Sequence, residues 1–163
     1  MQTHQGDILR YRERTYELAD QPLEGYFKLI KARPDFQRSA DGASIYSATW
    51  TIDDGWLFLV DIQGFWHDGS PLTVADLFPF SGSKVFAAWW SGLLRGYRSD
   101  ASLLTRASVN RSPDILINVD CGRIQASSMV HRPSRKEGAM PTMFKPNPVL
   151  VHERSGRGSM LHV

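Results

Sequence analysis

The sequence predicts an α+β fold, a predominantly antiparallel β-sheet with one main amphipathic helix packed on it. Two observations lead to this prediction. Short segments rich in β-branched and aromatic residues recur along most of the chain, separated by tight turn signals. A single segment, 22–30, instead carries apolar residues at helical spacing. With 163 residues, the chain is long enough for one domain with its own core.

Two short strands are predicted near the start of the chain, at 7–12 (DILRYR) and 15–19 (TYELA). Each mixes aliphatic and aromatic residues with polar ones, as strands with one buried face do. The polar pair Glu13-Arg14 separates the two strands.

The one clear helix begins near Pro22 and ends before Pro34. Pro22 suits its first turn, because a residue there leaves its N–H unpaired and proline has none. The apolar stripe of this helix has the spacing i, i+3, i+4 and i+7 and consists of Leu23, Tyr26, Phe27 and Ile30. We expect this stripe to pack on one face of the sheet.

The strongest hairpin signal lies at 45–62 (IYSATWTIDDGWLFLVDI). Its turn is the Asp-Asp-Gly sequence at 53–55, since glycine accepts a positive φ and aspartate tolerates one. The first arm alternates apolar and polar residues. The second arm is apolar on both faces, so we predict that it is a central strand rather than an edge.

The segment 85–98 (VFAAWWSGLLRGYR) fits two kinds of structure. Helical spacing would place its large apolar residues on one stripe. Gly92 and Gly96, however, would each cost about 1 kcal/mol inside a helix, and the surrounding sequence is rich in predicted strands. We predict an extended segment with a break at Gly92 and keep a helix as the alternative.

Three more strands are predicted at 102–109, 114–120 and 123–131, the last two joined by a turn at Cys121-Gly122. Several strands with tight links and one helix complete the α+β assignment.

The charge of the chain divides it into two parts. Residues 1–131, which we assign to a single α+β domain, carry thirteen basic and fifteen acidic side chains. Residues 132–163, a Pro/Gly-rich C-terminal extension, carry six basic and two acidic side chains. The basic character of the protein therefore belongs to the extension, and the body is slightly acidic.

The sequence lacks the motifs of common enzyme chemistries. It has no G-x-S-x-G and no phosphate-loop motif, and its five histidines show no H-x-x-x-H spacing. The single cysteine, Cys121, excludes an internal disulfide and lies in a predicted turn. We therefore expect no catalytic residue, no cofactor and no metal, and the balance is against an enzyme.

The apolar runs of the chain are short. WLFLV at 56–60 falls far below the roughly 20 residues that span a bilayer. The stretch MQTHQGDILRYRER has no apolar core of the kind that secretory signals carry. We expect a cytoplasmic protein that does not bind a membrane.

Two stretches, ATWTIDDGWLFLVDI (48–62) and DLFPFSGSKVFAAWWSGLLR (76–95), resemble a family of small uncharacterised bacterial proteins. That family shares a W-x-I-x-D-x-x-L-x-L hairpin, an L-F-P loop and a V-F-A-x-W-[FW]-x-G-x-[LI]-R segment. The resemblance covers about residues 5–130 and implies no catalytic residue. Where the relatives usually have an acidic residue before the tryptophan, this chain has Ala88.

The tryptophans suggest a binding role, because exposed tryptophan is a typical anchor of protein–protein interfaces. Trp66 stands beside Asp68 in a polar loop, and Trp89 belongs to an adjacent tryptophan pair. We predict a partner-binding patch of Trp66, Asp68, Trp89 and Arg95. The chain is interpreted as a non-enzymatic bacterial protein-binding module, an immunity- or antitoxin-type inhibitor of a toxin-like partner.

Two alternatives stay open. The first is a small-ligand-binding protein or an enzyme with a pocket between sheet and helix, using His67, Asp61 or Asp54. The second is a nucleic-acid-associated regulator that uses the basic extension, which the slightly acidic body makes less favourable. The sequence does not indicate the oligomeric state.

Overall fold

The computed structural model describes residues 6–42, 45–99 and 112–130, and within these ranges it contains eight strands and two helices. The strands are β1 (Ile8–Tyr11), β2 (Arg14–Leu18), β3 (Tyr46–Asp53), β4 (Trp56–Gly64), β5 (Val85–Phe86), β6 (Gly92–Arg98), β7 (Ile115–Asp120) and β8 (Arg123–Met129). The helices are α1 (Pro22–Ile30) and α2 (Val74–Leu77). The strands predicted before the helix, the helix itself, the hairpin and the last two strands are confirmed as local elements.

The strands form one sheet that closes into a seven-stranded barrel, in the order β3-β1-β2-β6-β7-β8-β4 and back to β3. β5 adds a two-residue strand beside β4. The predicted α+β fold with a main helix packed on a sheet is therefore wrong, since strands make up 48% of the structure and helices 12%. The physical reason is that the apolar faces of the strands meet one another inside the barrel instead of facing a helix.

The barrel closes through β1 and β3, which are parallel, whereas the other strand pairs are antiparallel. In this pair Ile8 lies opposite Thr49 and Leu9 lies opposite Trp50. Thirty-four residues of chain, 12–45, separate the two strands. A hydrophobic pattern read along the sequence contains no information about such a distant pairing.

Asp7, which directly precedes β1, connects three strands at this closure. Its Oδ1 accepts a hydrogen bond from the backbone N–H of Ala48 at 3.1 Å, and its Oδ2 accepts one from Nε1 of Trp50 at 2.9 Å. Its carbonyl oxygen accepts a hydrogen bond from the N–H of Leu18 in β2 at 2.7 Å. Asp7 is fully buried, so these bonds replace the water that its polar atoms would otherwise bind.

The interior of the barrel is filled by apolar side chains, as expected for a barrel with so few strands. The strand residues with no exposed surface are Leu9, Tyr16, Ala48, Trp50, Leu57, Leu59, Leu94, Ile115 and Ile117. Gly96 of β6 faces this core at close range, because a Cβ there would lie 2.6 Å from Cγ2 of Ile115 and 3.1 Å from Cβ of Tyr16.

Helix α1 lies at the end of the barrel where β2 ends and β3 begins, not along a sheet face. Phe27 contacts Tyr46, the first residue of β3, with 6.3 Å between ring centroids. Tyr26 contacts Trp89, with 5.0 Å between ring centroids. The predicted burial of Ile30 is wrong, since this residue is 45% exposed. The buried residues of α1 all lie in its first two turns, up to Phe27, and the last turn extends beyond the contact with the barrel.

The segment 85–98 forms no helix, but it is extended only over its two strands. Its break lies before Gly92 rather than at it, where the N–H of Trp90 donates to the carbonyl oxygen of Ala87 at 3.0 Å. The segment consists of β5, a link over residues 87–91 and β6, which begins at Gly92. Trp89 and Trp90 therefore lie in the link and not on a strand.

Two predictions concern residues outside the described ranges, the strand at 102–109 and the extension at 132–163. The division of the chain into residues 1–131 and 132–163 stays a prediction. In the described ranges, none of the helices has the length and apolar character that crossing a bilayer requires.

Candidate functional site

The outer wall of the barrel carries three neighbouring aromatic side chains, Trp56 and Phe58 of β4 and Phe86 of β5, which we call the aromatic patch. The rings of Trp56 and Phe86 meet edge to face with 5.2 Å between centroids, and those of Phe58 and Phe86 are 5.9 Å apart. Trp56 and Phe86 are each 38% exposed. Large rings gain the most apolar burial when a partner covers them, so the aromatic patch is a candidate anchor surface.

Two cations lie over the aromatic patch. Nζ of Lys84 is 4.2 Å from the ring centroid of Phe58, and Cζ of Arg123 is 5.7 Å from the ring centroid of Trp56. Both distances are within the range of cation–π attraction. Lys84 also forms an ion pair with Asp53, whereas Arg123 has no carboxylate partner in the described ranges. The aromatic patch thus combines apolar rings with one uncompensated positive charge, that of Arg123.

The turn between β7 and β8 fixes the position of the aromatic patch. Trp56 pairs with Arg123, the first residue of β8. Gly122 has a φ of +77°, and a Cβ there would lie 2.6 Å from Cε2 of Phe86 and 2.7 Å from the carbonyl oxygen of Ala87. Glycine is required at this position both by the left-handed backbone and by the close approach of Phe86.

A second candidate site is a recess of about 720 Å³ beside α1, which we call the α1 recess. It lies between the link from β2, the helix itself and the loop that leads to β3. Its charged lining residues are Asp20, Glu24, Lys28, Arg33 and Arg38, and Tyr46 and Trp90 supply aromatic rings.

A network of hydrogen bonds holds Glu24 on one wall of the α1 recess. Arg33 donates to Glu24 through both terminal nitrogens, one of them at 2.9 Å from Oε1, and the hydroxyl of Tyr46 donates to Oε1 at 2.7 Å. Burial alone would raise the pKa of Glu24, but the bonds from Arg33 and Tyr46 and the charges of Arg33 and Lys28 outweigh it and lower the pKa. Glu24 is therefore ionised and fully paired at neutral pH.

The other carboxylate of the α1 recess, Asp20, is also paired. Arg95 binds it through Nη2 at 2.8 Å and Nε at 3.3 Å, and the backbone N–H of Arg95 adds a bond of 2.9 Å. Lys28 and Arg38 are exposed and make no hydrogen bond or ion pair within the described part of the chain. The charge that is left uncompensated in the α1 recess is therefore positive.

Among the described residues, Asp7 is the carboxylate whose pKa is raised by its surroundings. Burial raises its pKa from 3.8 to about 6, against the opposing effect of the hydrogen bonds from Trp50 and Ala48, and the nearby charge of Glu24 adds to the increase. A perturbed pKa often marks a functional site. Here both carboxylate oxygens are bonded inside the barrel and have no exposed surface, so we assign Asp7 a role in barrel closure.

Two members of the predicted partner-binding patch lie in the loop after β4. Trp66 is half-buried, and its ring packs 5.8 Å from that of Phe36. Asp68 is exposed and shapes a turn, because its Oδ1 accepts bonds from the N–H of Ser70 at 2.9 Å and from its hydroxyl at 2.6 Å. These bonds lower the pKa of Asp68.

The other two members lie near α1. The ring of Trp89 is stacked on that of Phe78, with 5.6 Å between centroids, and its Nε1 donates to the carbonyl oxygen of Pro22 at 2.9 Å. Arg95 is bound to Asp20. In the described ranges, no hydrogen bond, ion pair or ring contact joins any two of the four predicted residues. Their joint role in partner binding stays a prediction.

The residues named for a pocket between sheet and helix are on the surface. Asp54 lies in the β3–β4 turn, and His67 lies in the loop after β4. Asp61 is exposed on β4, where its Oδ1 accepts the N–H of Ile62 at 2.9 Å. None of these three side chains lines the α1 recess.

The sequence reasoning missed the aromatic patch. Its signal was present, since the second hairpin arm is apolar on both faces, but that pattern was interpreted only as a central strand rather than an edge. In a barrel a strand has neighbours at both edges and still exposes its outer face. Leu57 and Leu59 point inward, and Trp56 and Phe58 therefore point outward.

Among the described residues, no group of three or more His, Cys, Asp or Glu side chains is arranged to hold a metal ion.

Comparison with known proteins assigns no family to the chain. The resemblance to small bacterial proteins with the tryptophan-bearing hairpin stays a prediction. No protein-family model matches the sequence, and neither a curated protein nor a solved structure matches it.

Proposed function

We propose that this protein acts by binding another protein, as an inhibitor of the immunity or antitoxin type, and that the aromatic patch is its anchor surface. The observation that carries this proposal is the exposure of Trp56 and Phe86 side by side on the outer wall of a barrel. Tryptophan, aromatic rings and arginine are the residue types that dominate the binding energy of protein interfaces.

The rigidity of the aromatic patch supports this proposal. Phe58 and Phe86 are paired across the β4–β5 ladder, and Trp56 is paired with Arg123 across the β4–β8 ladder. The ring contacts of Phe86 with Trp56 and with Phe58 restrict these side chains before a partner arrives. The entropic cost of binding is correspondingly small.

The charges around the aromatic patch indicate the chemistry of the partner. Arg123 presents an uncompensated positive charge at its edge, whereas Lys84 is paired with Asp53. A matching partner surface has an apolar side chain at its centre and a carboxylate at its edge, because complementary charge speeds encounter and excludes wrong partners. We favour a protein over a nucleic acid because residues 1–131 are slightly acidic, with thirteen basic and fifteen acidic side chains, whereas nucleic-acid binding draws on clustered basic groups.

The test places a photoreactive phenylalanine analogue at position 86 of the full-length chain, in cells of the source organism. The matched control carries the same analogue at position 29, because Leu29 is 68% exposed and lies on α1, away from the aromatic patch. After irradiation, the proposal predicts a protein adduct from position 86 that position 29 does not give. An adduct with nucleic acid, the same adducts from both positions, or no adduct from position 86 would contradict it.

The inhibitory role is tested on the protein recovered from position 86. The wild-type chain is expected to suppress its activity or its toxicity when the two are co-expressed. A Trp56→Ala variant is expected to lose this effect, whereas a Leu29→Ala variant retains it. If the wild-type chain leaves the partner's activity unchanged, the protein binds but is not an inhibitor, and that part of the proposal is refuted.

A further inference from the structure

We propose that the α1 recess binds a small organic or inorganic anion that carries a carboxylate or phosphate group, held by Lys28 and Arg38 beside the ring of Trp90. This site is separate from the aromatic patch, and the inference does not depend on the proposed function. It rests on the shape of the recess, on its charge and on the way its side chains are held.

The shape of the α1 recess suits a small molecule. Its volume of about 720 Å³ lies within the range of about 300–1,000 Å³ that ligand pockets occupy. Gly25, in the second turn of α1, contributes no side chain to the wall. A Cβ there would meet Trp90 at 3.5 Å and Trp89 at 3.6 Å, which are ordinary contacts. Packing therefore does not demand a glycine, although glycine costs about 1 kcal/mol inside a helix.

The charge of the α1 recess suits an anion. Glu24 is neutralised by Arg33, and Asp20 is neutralised by Arg95. Lys28 and Arg38 make no hydrogen bond or ion pair in the described ranges, although the charge of Lys28 also acts on Glu24, so the α1 recess keeps a net positive charge. A bound carboxylate or phosphate would accept charge-assisted hydrogen bonds from both, and these are about twice as strong as neutral ones.

The helix wall that carries Lys28 is held in place before any ligand arrives. The hydroxyl of Tyr46 and the guanidinium of Arg33 fix Glu24 between the helix and β3. The ring of Trp90 lies against the helix backbone at Gly25. Its Nε1 is buried and has no hydrogen-bond partner in the described part of the chain, which makes the indole N–H signal a sensitive reporter of changes nearby.

The experiment titrates the ¹⁵N-labelled full-length protein with inorganic phosphate and, separately, with citrate, at constant ionic strength and neutral pH. The indole N–H signal of Trp90, assigned with a Trp90→Phe variant, is followed by NMR. At least one of the two anions is expected to shift this signal saturably. The two titrations distinguish a phosphate site from a carboxylate site.

Three variants give the test its specificity. Lys28→Gln and Arg38→Gln are each expected to weaken binding about tenfold, the loss expected for one charge-assisted hydrogen bond. Arg10→Gln, which removes the same charge from an exposed position on β1, is expected to leave the affinity unchanged. All three side chains are exposed, so the variants should fold. The inference is overturned if neither anion shifts the Trp90 signal, or if Arg10→Gln weakens binding as much as Arg38→Gln.

Discussion

Ionisation of Asp7 should make the barrel less stable as the pH rises. Its folded-state pKa of about 6 lies above its ordinary value of 3.8, because the carboxyl is buried at the closure of the barrel. A raised pKa means that folding favours the protonated form. Below pH 3.8 the carboxyl is protonated in both the folded and the unfolded chain, and its ionisation costs nothing. Between pH 3.8 and 6 the cost appears, and above pH 6 it is complete.

The size of this effect follows from the difference between the two pKa values. Each tenfold difference in an acid constant corresponds to about 1.4 kcal/mol, so ionised Asp7 lowers the free energy of unfolding by about 3 kcal/mol. In an Asp7→Asn variant this dependence is absent. The amide keeps one acceptor, so either the N–H of Ala48 or Nε1 of Trp50 loses its partner, at a cost of about 1–3 kcal/mol that does not change with pH.

The assay is urea unfolding of the wild-type and Asp7→Asn chains at several values between pH 4 and pH 7.5. The free energy of unfolding of the wild type minus that of the variant should fall by about 2.4 kcal/mol across this range, because about 0.6 kcal/mol of the cost is already present at pH 4. Glu24 and Tyr46, the ionisable groups that interact with Asp7, are present in both chains, so their own titration largely cancels in the difference. A difference that stays constant with pH would refute the reasoning.

A direct reading of the ionisation is available if the variant does not fold. The ¹³C signal of the Asp7 carboxyl in the wild-type protein should titrate with a midpoint near pH 6. A midpoint at or below pH 4 would show that the carboxyl is better solvated than the buried position at the barrel closure allows.

Two further predictions concern stability and are checked by the same unfolding assay at pH 7. Gly96→Ala should destabilise the protein by about 2 kcal/mol or more, because its Cβ would lie 2.6 Å from a side-chain carbon of the next strand. Gly25→Ala, its matched control, should stabilise the protein by up to about 1 kcal/mol, since its Cβ meets nothing closer than 3.5 Å. Tyr46→Phe should cost about 1–2 kcal/mol through the lost bond to Glu24, whereas Tyr97→Phe, which loses no such bond, should cost less than about 0.5 kcal/mol. Equal effects within either pair would contradict these assignments.

Local patterns predicted the individual strands and the helix, but not how they assemble. The alternation that predicted the β3–β4 hairpin and the helical spacing that predicted α1 are both patterns among residues close in sequence. Both elements form where they were expected. Closure of the barrel depends on the parallel pairing of β1 with β3, in which Leu9 lies opposite Trp50. No local sequence pattern encodes this pairing. An open sheet covered by a helix and a closed barrel present the same alternation in their strands. The sequence alone could not distinguish them.

The candidate sites were harder to predict for a related reason. Trp66 has polar neighbours in sequence, yet it packs against Phe36 from a distant loop. Trp56 belongs to an arm that is apolar on both sides, and its exposure is decided by which face of β4 lines the barrel. Lys28 and Arg38 are spaced like ordinary surface charges. Their significance appears only when Glu24 and Asp20 are seen to be paired with other arginines.

The most direct measurement of the central claim is the affinity of the purified partner, determined by calorimetry, for three forms of the full-length chain. If the exposed rings on the barrel wall anchor the complex, Trp56→Ala should raise the dissociation constant about thirtyfold or more, the loss of about 2 kcal/mol that defines a hot spot. Leu29→Ala should leave it within about twofold of the wild-type value. Equal dissociation constants for the wild type and Trp56→Ala would contradict the claim.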